Sequence, residues 1–411
     1  MEEKLLKYLG ANRAVLALSV ARMADAIGNS ILFIIIPLYV AKLPQEYFHF
    51  PIPVLVGVLI SIYGFVSALF QPVMGALSDK LGKRKILIQA GLGLLGLSTL
   101  TYILAQHFVD LLILRTVQGI AVAITIPASM ALMAEITKKE TRGGAMGVYS
   151  TLRIVGFTIG PLVGGFLKDR FGFNAAFYAG FAFIIIAMFL IQIWINDVKV
   201  KKQKDEIKKK VKIFERKLLS PGILSAASAT FMMAASFSIL TALENEFNSK
   251  LSINAFQFGI AFSMLMVTRL VFQVPLGKYS DSVGRKPLIL AGLILMCPAT
   301  ILLGIAGSLT QLIVYRLIQG IAAAGIAAPA FAVAADLSHS GGEGRQMSII
   351  TMGFGLGIAT GPLIAGLLAV IFFELPFFVL GFLSFVSVWI VYHYMPETVV
   401  SEKALFKDKS Q

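Results

Sequence analysis

The chain has 411 residues, of which 57% are hydrophobic and only 14% are charged, whereas soluble globular domains have roughly 25% charged residues. This composition excludes a soluble protein, and the apolar stretches follow one another too closely for a soluble domain to lie between them. A net charge of +14 would suggest nucleic acid as a partner of a soluble protein, but here the basic residues lie mainly between apolar stretches, which indicates membrane topology instead.

Twelve apolar stretches are long enough to cross a hydrocarbon core of about 30 Å as a helix. They are predicted at 13–41, 51–78, 86–106, 108–137, 143–168, 174–196, 219–247, 253–279, 287–306, 310–337, 345–369 and 374–394. A basic segment at 197–217 is too polar to enter lipid. The sequence therefore predicts an all-α membrane protein with twelve transmembrane helices in two six-helix bundles. Residues 1–196 form the first bundle, 197–217 a cytoplasmic linker, and 218–411 the second bundle with a short cytoplasmic tail.

The basic residues predict the orientation of these helices. If the N-terminus is cytoplasmic, the outer loops hold only four basic residues: Lys42, Lys168, Arg170 and Lys250. Because Lys and Arg concentrate in cytoplasmic loops, both termini are predicted to be cytoplasmic in a multi-pass protein of the cytoplasmic (cell) membrane. The same residues are expected to contact the head groups of membrane lipids, and no nucleic-acid partner is expected.

The two halves repeat each other after about 200 residues. The matching positions are Gly75, Asp79 and Gly82 with Gly277, Asp281 and Gly284; Arg115, Gln118 and Gly119 with Arg316, Gln319 and Gly320; Glu135 with Asp336; and Gly160-Pro161 with Gly361-Pro362. Six helices repeated in the same orientation give two bundles related by an axis along the membrane normal. A cavity between them is the expected site for a small-molecule substrate.

The loop between predicted helices 2 and 3 reads GALSDKLGKRK from Gly75 to Lys85. It resembles the G-x-L-x-D-R-x-G-R-R/K signature of the major facilitator superfamily, with Lys80 and Lys83 in place of Arg, and the likeness extends over essentially the whole chain. The resemblance implies the two-bundle fold of that family of transporters. We expect a monomer that is not an enzyme, with no cofactor and no metal site.

The resemblance also implies that this loop latches the cytoplasmic side in one of two conformations. The residues of the predicted latch are Gly75, Asp79, Gly82, Arg84, Glu135, Asp281, Arg285 and Asp336. Glycine permits a tight turn between helices, and the basic residues can pair with acids at helix ends. The alternative is a basic loop that only sets the topology.

Two further motifs lie in predicted helices 4 and 5. Arg115 begins an R-x-x-Q-G sequence that resembles one connected with proton coupling in the family, although a structural role is equally open because Arg316 repeats it. The second resembles the G-x-x-x-G-P-x-x-G-G motif of drug:proton antiporters, and its residues are Gly156, Gly160, Pro161, Gly164 and Gly165. This motif favours export, whereas the alternative is close helix packing by small residues.

Four charged residues within the predicted helices have no counterpart in the other half: Arg22, Asp25, Arg153 and Arg269. Counted from the cytoplasmic end of helix 1, Asp25 lies about 18 Å into the membrane. A carboxyl group at that depth can take up and release a proton, so Asp25 is the predicted proton site. The alternative is a salt bridge with Arg22, three residues earlier on the same helix.

The three arginines of this set are candidates for a substrate cavity, and their charge favours an anionic or neutral compound over a cationic one. Glu244 and Glu246, near the predicted outer end of helix 7, are expected to face water. The sequence predicts proton-coupled efflux (antiport) of small amphipathic or drug-like compounds, as in multidrug exporters. The alternatives are a symporter or facilitator that takes up an organic anion or other small solute, and a membrane sensor that does not transport.

Overall fold

A computed structural model describes residues 13–44, 49–137, 142–195, 220–337 and 343–399. Within these ranges every regular element is helical. The long helices are α1 (Arg13–Lys42), α2 (Ile52–Leu81), α3 (Arg84–Thr101), α4 (Phe108–Ile136), α5 (Arg142–Phe171), α6 (Phe173–Trp194), α7 (Pro221–Ser238), α8 (Ala255–Val283), α9 (Arg285–Gly304), α10 (Leu309–Asp336), α11 (Glu343–Leu368) and α12 (Leu375–Tyr394). The predicted linker, 197–217, lies outside the described residues.

All twelve segments are long and apolar enough to cross a membrane. The prediction of an all-α protein with twelve transmembrane helices is therefore confirmed. A helix satisfies its backbone hydrogen bonds within its own segment, which is why a chain of this composition crosses lipid in this form. Many large apolar side chains are exposed on the helices, including Leu69 and Phe382, as expected for surfaces that face hydrocarbon.

The ends of the helices follow local chemistry. Gly82 ends α2 in the left-handed conformation at φ 65°, and its N–H donates to the carbonyl of Ser78. That conformation favours glycine, which has no Cβ to collide with the backbone. Ser220 caps α7 by accepting a hydrogen bond from the N–H of Ile223, and Pro221 occupies the first turn, where no N–H is needed.

Helix α7 is shorter than the sequence predicted. It ends at Ser238, and a 3₁₀ helix (Ile239–Ala242) and a short helix (Glu244–Leu251) follow. This change of direction places Glu244 in the interior, with none of its surface exposed, and leaves Glu246 partly buried. The expectation that Glu244 faces water is wrong, because a straight extension of α7 was assumed where the chain turns.

The described residues form two compact units. The first is drawn from Met1–Lys209 and Phe247–Ser263, and the second from Lys210–Glu246 and Met264–Gln411. The predicted division at the linker stays a prediction, and the compact units place the start of α8 with the first unit. Glycines in α5 and α8 account for this, because they let the two backbones touch, as described below.

Each unit has one helix at its centre. In the first unit α1 packs against α5 and α6, and its most apolar stretch is 89% buried. In the second unit α7 packs in the same way against α11 and α12, with 78% of its apolar stretch buried. The repeat predicted from the sequence therefore appears as the same packing order within each unit. Polar side chains on α1 lie in the interior of the first unit.

Candidate functional site

A buried ion pair lies in the middle of α1. Arg22 Nη1 donates a hydrogen bond to Asp25 Oδ2, and the two side chains are only 10% and 5% exposed. Three residues of spacing place them on the same face of the helix. The salt bridge that the sequence left as an alternative is therefore formed in this conformation. Arg22 Nε, in contrast, is buried without a hydrogen-bond acceptor among the described residues.

Polar groups from α2 and α5 surround this pair. Asn29, one turn beyond Asp25, donates from Nδ2 to the hydroxyl of Tyr63 at 2.9 Å. Tyr149 of α5 is buried and lies near enough to Arg22 to act on it electrostatically. Sequence reasoning missed these groups, although an asparagine in so apolar a stretch as α1 was a usable signal, because buried amides need partners.

Arg153 of α5 adds a second positive charge to this cluster. Its guanidinium lies 5.2 Å from the ring centre of Phe157, and both Arg22 and Asp25 act on it electrostatically. Its Nε is buried and has no hydrogen-bond acceptor among the described residues. Two guanidinium groups therefore lie near one carboxylate, and Arg22 is the one hydrogen-bonded to it. We call Arg22, Asp25, Tyr63, Tyr149 and Arg153 the α1 cluster.

Arg269, the remaining candidate for a substrate contact, lies in the part of α8 that belongs to the second unit. Its Nε donates to Gln273 Oε1 at 3.2 Å, one turn along the same helix. The structure thus brings Arg22, Asp25 and Arg153 together within one unit and describes Arg269 in the other.

The R-x-x-Q-G motif forms a buried cluster of hydrogen-bonded side chains. Arg115, which has no exposed surface, donates from Nη1 to Gln118 Oε1 at 3.2 Å and lies 5.3 Å from the ring centre of Tyr63. Gln118 also accepts from the hydroxyl of Tyr102 and donates to Thr99 Oγ1, both at 3.1 Å. These bonds connect α4 to the end of α3.

The second unit repeats this hydrogen-bonded cluster. Arg316 Nη1 donates to Gln319 Oε1 at 2.9 Å, and Gln319 Nε2 donates to Thr300 Oγ1 at 3.1 Å. Arg316 is again without exposed surface and lies 5.5 Å from an aromatic ring, that of Phe237. A geometry present in both units favours the structural role of the motif over a role in proton coupling.

The predicted latch is centred on Arg84, the first residue of α3. Its guanidinium donates to Asp79 Oδ1 at 2.8 Å, to Glu135 Oε1 at 3.1 Å and to Ser78 Oγ at 2.6 Å. Three donors of one planar group thus join the ends of α2, α3 and α4. Gly75 lies where α2 passes α4. A Cβ atom built at Gly75 would be 3.6 Å from the Cβ atom of Pro127 in α4.

The same arrangement recurs around Arg285 in the second unit. Arg285 pairs with Asp281, donates from Nε to Asp336 Oδ2 at 3.3 Å, and donates from Nη1 to Ser280 Oγ at 2.7 Å. Here the segment after α12 adds to the cluster, since both carboxylate oxygens of Glu397 accept backbone N–H groups at the start of α9. In both units, therefore, the loop residues hold three helix ends together.

The glycines of the α5 motif bring α5 against α1 beside the α1 cluster. A Cβ atom at Gly156 would lie 2.6 Å from both Ala26 Cβ and the carbonyl oxygen of Met23. At Gly160 it would lie 2.7 Å from the carbonyl oxygen of Ile27. These separations are too short for any side chain, so only glycine allows this approach.

The last part of the motif has further contacts. At Gly164 a Cβ atom would lie 3.1 Å from the carbonyl oxygen of Ile31 in α1. Gly165 faces the start of α8, where the corresponding distance to the carbonyl oxygen of Ala255 is 2.5 Å. Pro161 lies inside α5, and its carbonyl group meets Gly259 of α8. The motif therefore packs α5 against two helices.

A repeated serine strengthens this packing. Ser30 Oγ of α1 donates to the carbonyl of Gly156 at 3.3 Å, and Ser238 Oγ of α7 donates to the carbonyl of Gly357 at the same distance. Sequence reasoning missed this pair, because serine is too common for the recurrence to stand out beside the glycine motifs.

Glu246, in the short helix Glu244–Leu251 outside the membrane-spanning segments, provides a prediction on pH. Burial raises the pKa of its carboxyl group to about 6, from an ordinary value of 4.5. The folded state therefore keeps this proton when the unfolded state has lost it. The stability gained from the neutral form is complete below about pH 4.5 and is lost as the pH rises through about 6.

We therefore expect Glu246→Gln to raise the free energy of unfolding by about 1–2 kcal/mol above pH 6 and to have little effect below pH 4.5. The amide stays neutral at every pH, so it avoids the cost of a buried charge. Thermal unfolding in detergent, recorded for both proteins from acid to neutral pH, measures the difference. Curves that stay parallel over this range would contradict the prediction.

Comparison with known proteins gives one family and several relatives. The family model described as Major Facilitator Superfamily matches residues 18–249 and 224–409. The uncharacterized MFS-type transporter YuxJ of Bacillus subtilis is 28% identical over 82% of this chain and 87% of its own. The multidrug resistance protein MdtG of Escherichia fergusonii is 28% identical over 80% of this chain and 81% of its own.

A solved structure with the same fold is that of a bacterial homologue of the human lysosomal transporter Spinster, in an inward-facing and occupied conformation. Its TM-score against this chain is 0.76, with 14% sequence identity over 92% of this chain and 95% of that chain. Identity this low supports the fold alone. The transporter class of the chain rests on the family model.

Proposed function

The chain belongs to the major facilitator superfamily of membrane transporters, and we propose that it is a proton-coupled exporter of small amphipathic compounds. It exchanges inward-moving protons for outward-moving solute (antiport) by alternating access. The observation that carries this proposal is the buried Arg22–Asp25 pair of α1, placed beside the glycine motif of α5. A small-molecule substrate is expected of a transporter in this family.

Asp25 has the properties required of a proton carrier. The residue is only 4% exposed within an apolar helix, where an unpaired charge is costly. Arg22 stabilises the ionised form by a charge-assisted hydrogen bond. Protonation removes that bond and leaves Arg22 beside the positive charge of Arg153. The protonated and ionised proteins therefore favour different arrangements of the α1 cluster, as a proton-driven cycle requires.

Two findings support export. MdtG, which is similar to this chain over most of its length, is named a multidrug resistance protein. The α5 motif resembles that of drug:proton antiporters, and in this structure its glycines meet α1 within one turn of Asp25, at Ala26 and Met23. A change in the ionisation of Asp25 can therefore act on the packing of α1 against α5.

The charge of the α1 cluster supports a second candidate function, the cotransport of protons with an organic anion. The two positive charges of Arg22 and Arg153 exceed the single negative charge of Asp25. Arg153 Nε also has no hydrogen-bond acceptor among the described residues. In this function an anion binds Arg22 in place of Asp25, and a proton binds the Asp25 carboxylate that has lost its partner. Proton and anion would bind together and move in the same direction, which is the opposite sign of coupling to antiport.

The sign of coupling can be measured in proteoliposomes with a pH-sensitive dye in the lumen. A concentration gradient of compound is imposed inward, with a cationic, a neutral and an anionic amphipathic compound of similar size tested in turn. Under antiport, compound entering the lumen expels protons, and the lumen becomes alkaline. Under symport the same movement makes the lumen acidic.

We expect alkalinisation of the lumen, and we expect Asp25→Asn to reduce it to the level of protein-free liposomes. Asp110→Asn is the matched control, because Asp110 accepts hydrogen bonds from the N–H groups of Gln106 and His107 at the start of its own helix. Acidification with an anionic compound would favour the second candidate. Movement of compound without any change of pH would refute proton coupling, and no movement of any compound would favour a sensor.

A further inference from the structure

Helices α5 and α8 pack so closely that their backbones touch. This contact involves the parts of both helices that are predicted to lie near the outer side of the membrane. Ser263 Oγ donates to the carbonyl of Thr158 at 2.7 Å. Further along, a Cβ atom at Gly259 would lie 2.6 Å from the carbonyl oxygen of Pro161, and one at Gly165 would lie 2.5 Å from that of Ala255. As the residue numbers rise on α5 they fall on α8, so the two helices run antiparallel along this contact.

This contact ends at the first turn of α8, where Asp169 binds the backbone. Asp169 Oδ2 accepts a hydrogen bond from the N–H of Phe256 at 2.8 Å, and its Oδ1 accepts one from Lys168 Nζ at 3.1 Å. Asn254 and Gln257 satisfy each other at the same helix start, since each side chain accepts the other's backbone N–H. The N–H of Phe256 is thus satisfied from another helix.

The bond from Asp169 is favourable for two reasons. The first N–H groups of a helix have no partner within the helix, and the partial positive charge there attracts a carboxylate. Asp169 is an exposed residue, although its side chain alone is only 19% exposed. An ionised acceptor makes a hydrogen bond roughly twice as strong as a neutral one. A charged side chain at the end of α5 therefore binds the start of α8, in addition to the backbone packing.

We propose that Asp169 is the outer clasp of the transporter, whose bond to the N–H of Phe256 keeps the outer ends of α5 and α8 together and must break once in each transport cycle. The proposal rests on the transporter function but not on proton coupling. In the rocking movement predicted from the repeat, α5 and α8 belong to different halves, and their outer ends separate when the outer side opens.

The alternative is that Asp169 is only a helix cap. A cap contributes to stability alone, so its loss lowers the unfolding temperature and leaves the balance between closed and open forms unchanged. A clasp, in contrast, favours one form over the other, so its loss shifts that balance. Distances between the two helix ends distinguish the roles.

The donor can be removed without touching Asp169. Phe256→Pro eliminates the N–H at a position in the first turn of α8, where proline is tolerated. It also removes the ring contact between Phe256 and Phe166, whose centroids are 6.0 Å apart. Phe256→Leu is the matched control, because it removes the ring and keeps the N–H. Any difference between the two variants reports the backbone hydrogen bond.

Spin labels at Phe171→Cys and Ser249→Cys, both at exposed positions, report the separation of the helix ends by double electron–electron resonance. Cys297, the single cysteine of the chain, is replaced by serine in every variant. We expect Phe256→Pro to raise the ratio of long to short distances by about tenfold over Phe256→Leu, the effect of losing one charge-assisted hydrogen bond. The measurement needs no substrate and no pH gradient, so it stands apart from the test of coupling.

Equal distance distributions in the two Phe256 variants would overturn the clasp. If Phe256→Pro does not fold, Asp169→Ala replaces it, because that change leaves the backbone of both helices intact. Asp169→Ala is then expected to give the same increase in long distances over the unsubstituted chain. A lower unfolding temperature with unchanged distances would identify Asp169 as a cap and overturn the proposal.

Discussion

Replacing Arg115 by alanine is expected to lower the free energy of unfolding by about 3–5 kcal/mol. The side chain has no exposed surface, so its removal leaves a cavity that neighbouring helices fill only in part. Gln118 Oε1 also loses the guanidinium donor, and Tyr63 loses a cation that lies 5.3 Å from its ring centre. Thermal unfolding of the purified protein in detergent measures the loss.

Arg316→Ala is the matched control for this prediction. The second unit repeats the same bond, from Arg316 Nη1 to Gln319 Oε1, so a structural role predicts a similar loss of stability in both variants. A role in proton coupling predicts something different, namely that Arg115→Ala abolishes proton flux while its stability stays normal and Arg316→Ala keeps both. That second outcome would refute the structural role favoured by the geometry.

Alanine at Gly156 is expected to destabilise the protein by about 2–3 kcal/mol and to stop transport. The added Cβ atom would meet the carbonyl oxygen of Met23 at 2.6 Å, so α5 and α1 have to move apart. That displacement disturbs the face of α1 that carries Asp25. Unfolding temperature and compound-driven proton flux in proteoliposomes measure the two effects.

Gly147, on the same helix, provides the control for Gly156. No atom lies within 4 Å of a Cβ atom built there. Alanine at that position is therefore expected to stabilise α5 by roughly 0.5–1 kcal/mol, because alanine favours the helix more than glycine does. The same substitution, glycine to alanine, should thus change the free energy of unfolding in opposite directions at these two positions of one helix. If both substitutions stabilised the protein, the close approach of α5 to α1 would not depend on the absence of a side chain at Gly156.

Much of the architecture could be predicted because each element depends on its own residues. A helix that crosses lipid satisfies its backbone internally, so about 20 apolar residues are sufficient to identify it. The one clear error, at the end of α7, arose where this local rule fails. The apolar run from Pro221 to Leu243 suggested one helix continuing to Phe247, yet α7 ends at Ser238, the chain bends at Leu243, and Glu244 is buried.

The candidate site could be predicted only in part. Arg22 and Asp25 were identifiable as partners because they are three residues apart on one helix, and Arg84 was identifiable through its motif. In contrast, Asn29 meets Tyr63, and Phe256 meets Asp169, across 34 and 87 residues of sequence. These contacts depend on how each helix is rotated and on its depth in the membrane, and hydropathy determines neither.

The sequence by itself determined the number and type of the helices, the repeat, and the family, because hydrophobic length and motif spacing are local properties. Only the tertiary structure decided that Arg153 lies beside the Arg22–Asp25 pair, and that the start of α8 packs on α5. The physical reason is that helix association in lipid depends on close backbone contact at small residues such as Gly156 and Gly165. Which helix each glycine faces is a property of the packed chain, and the polar groups meet as a consequence.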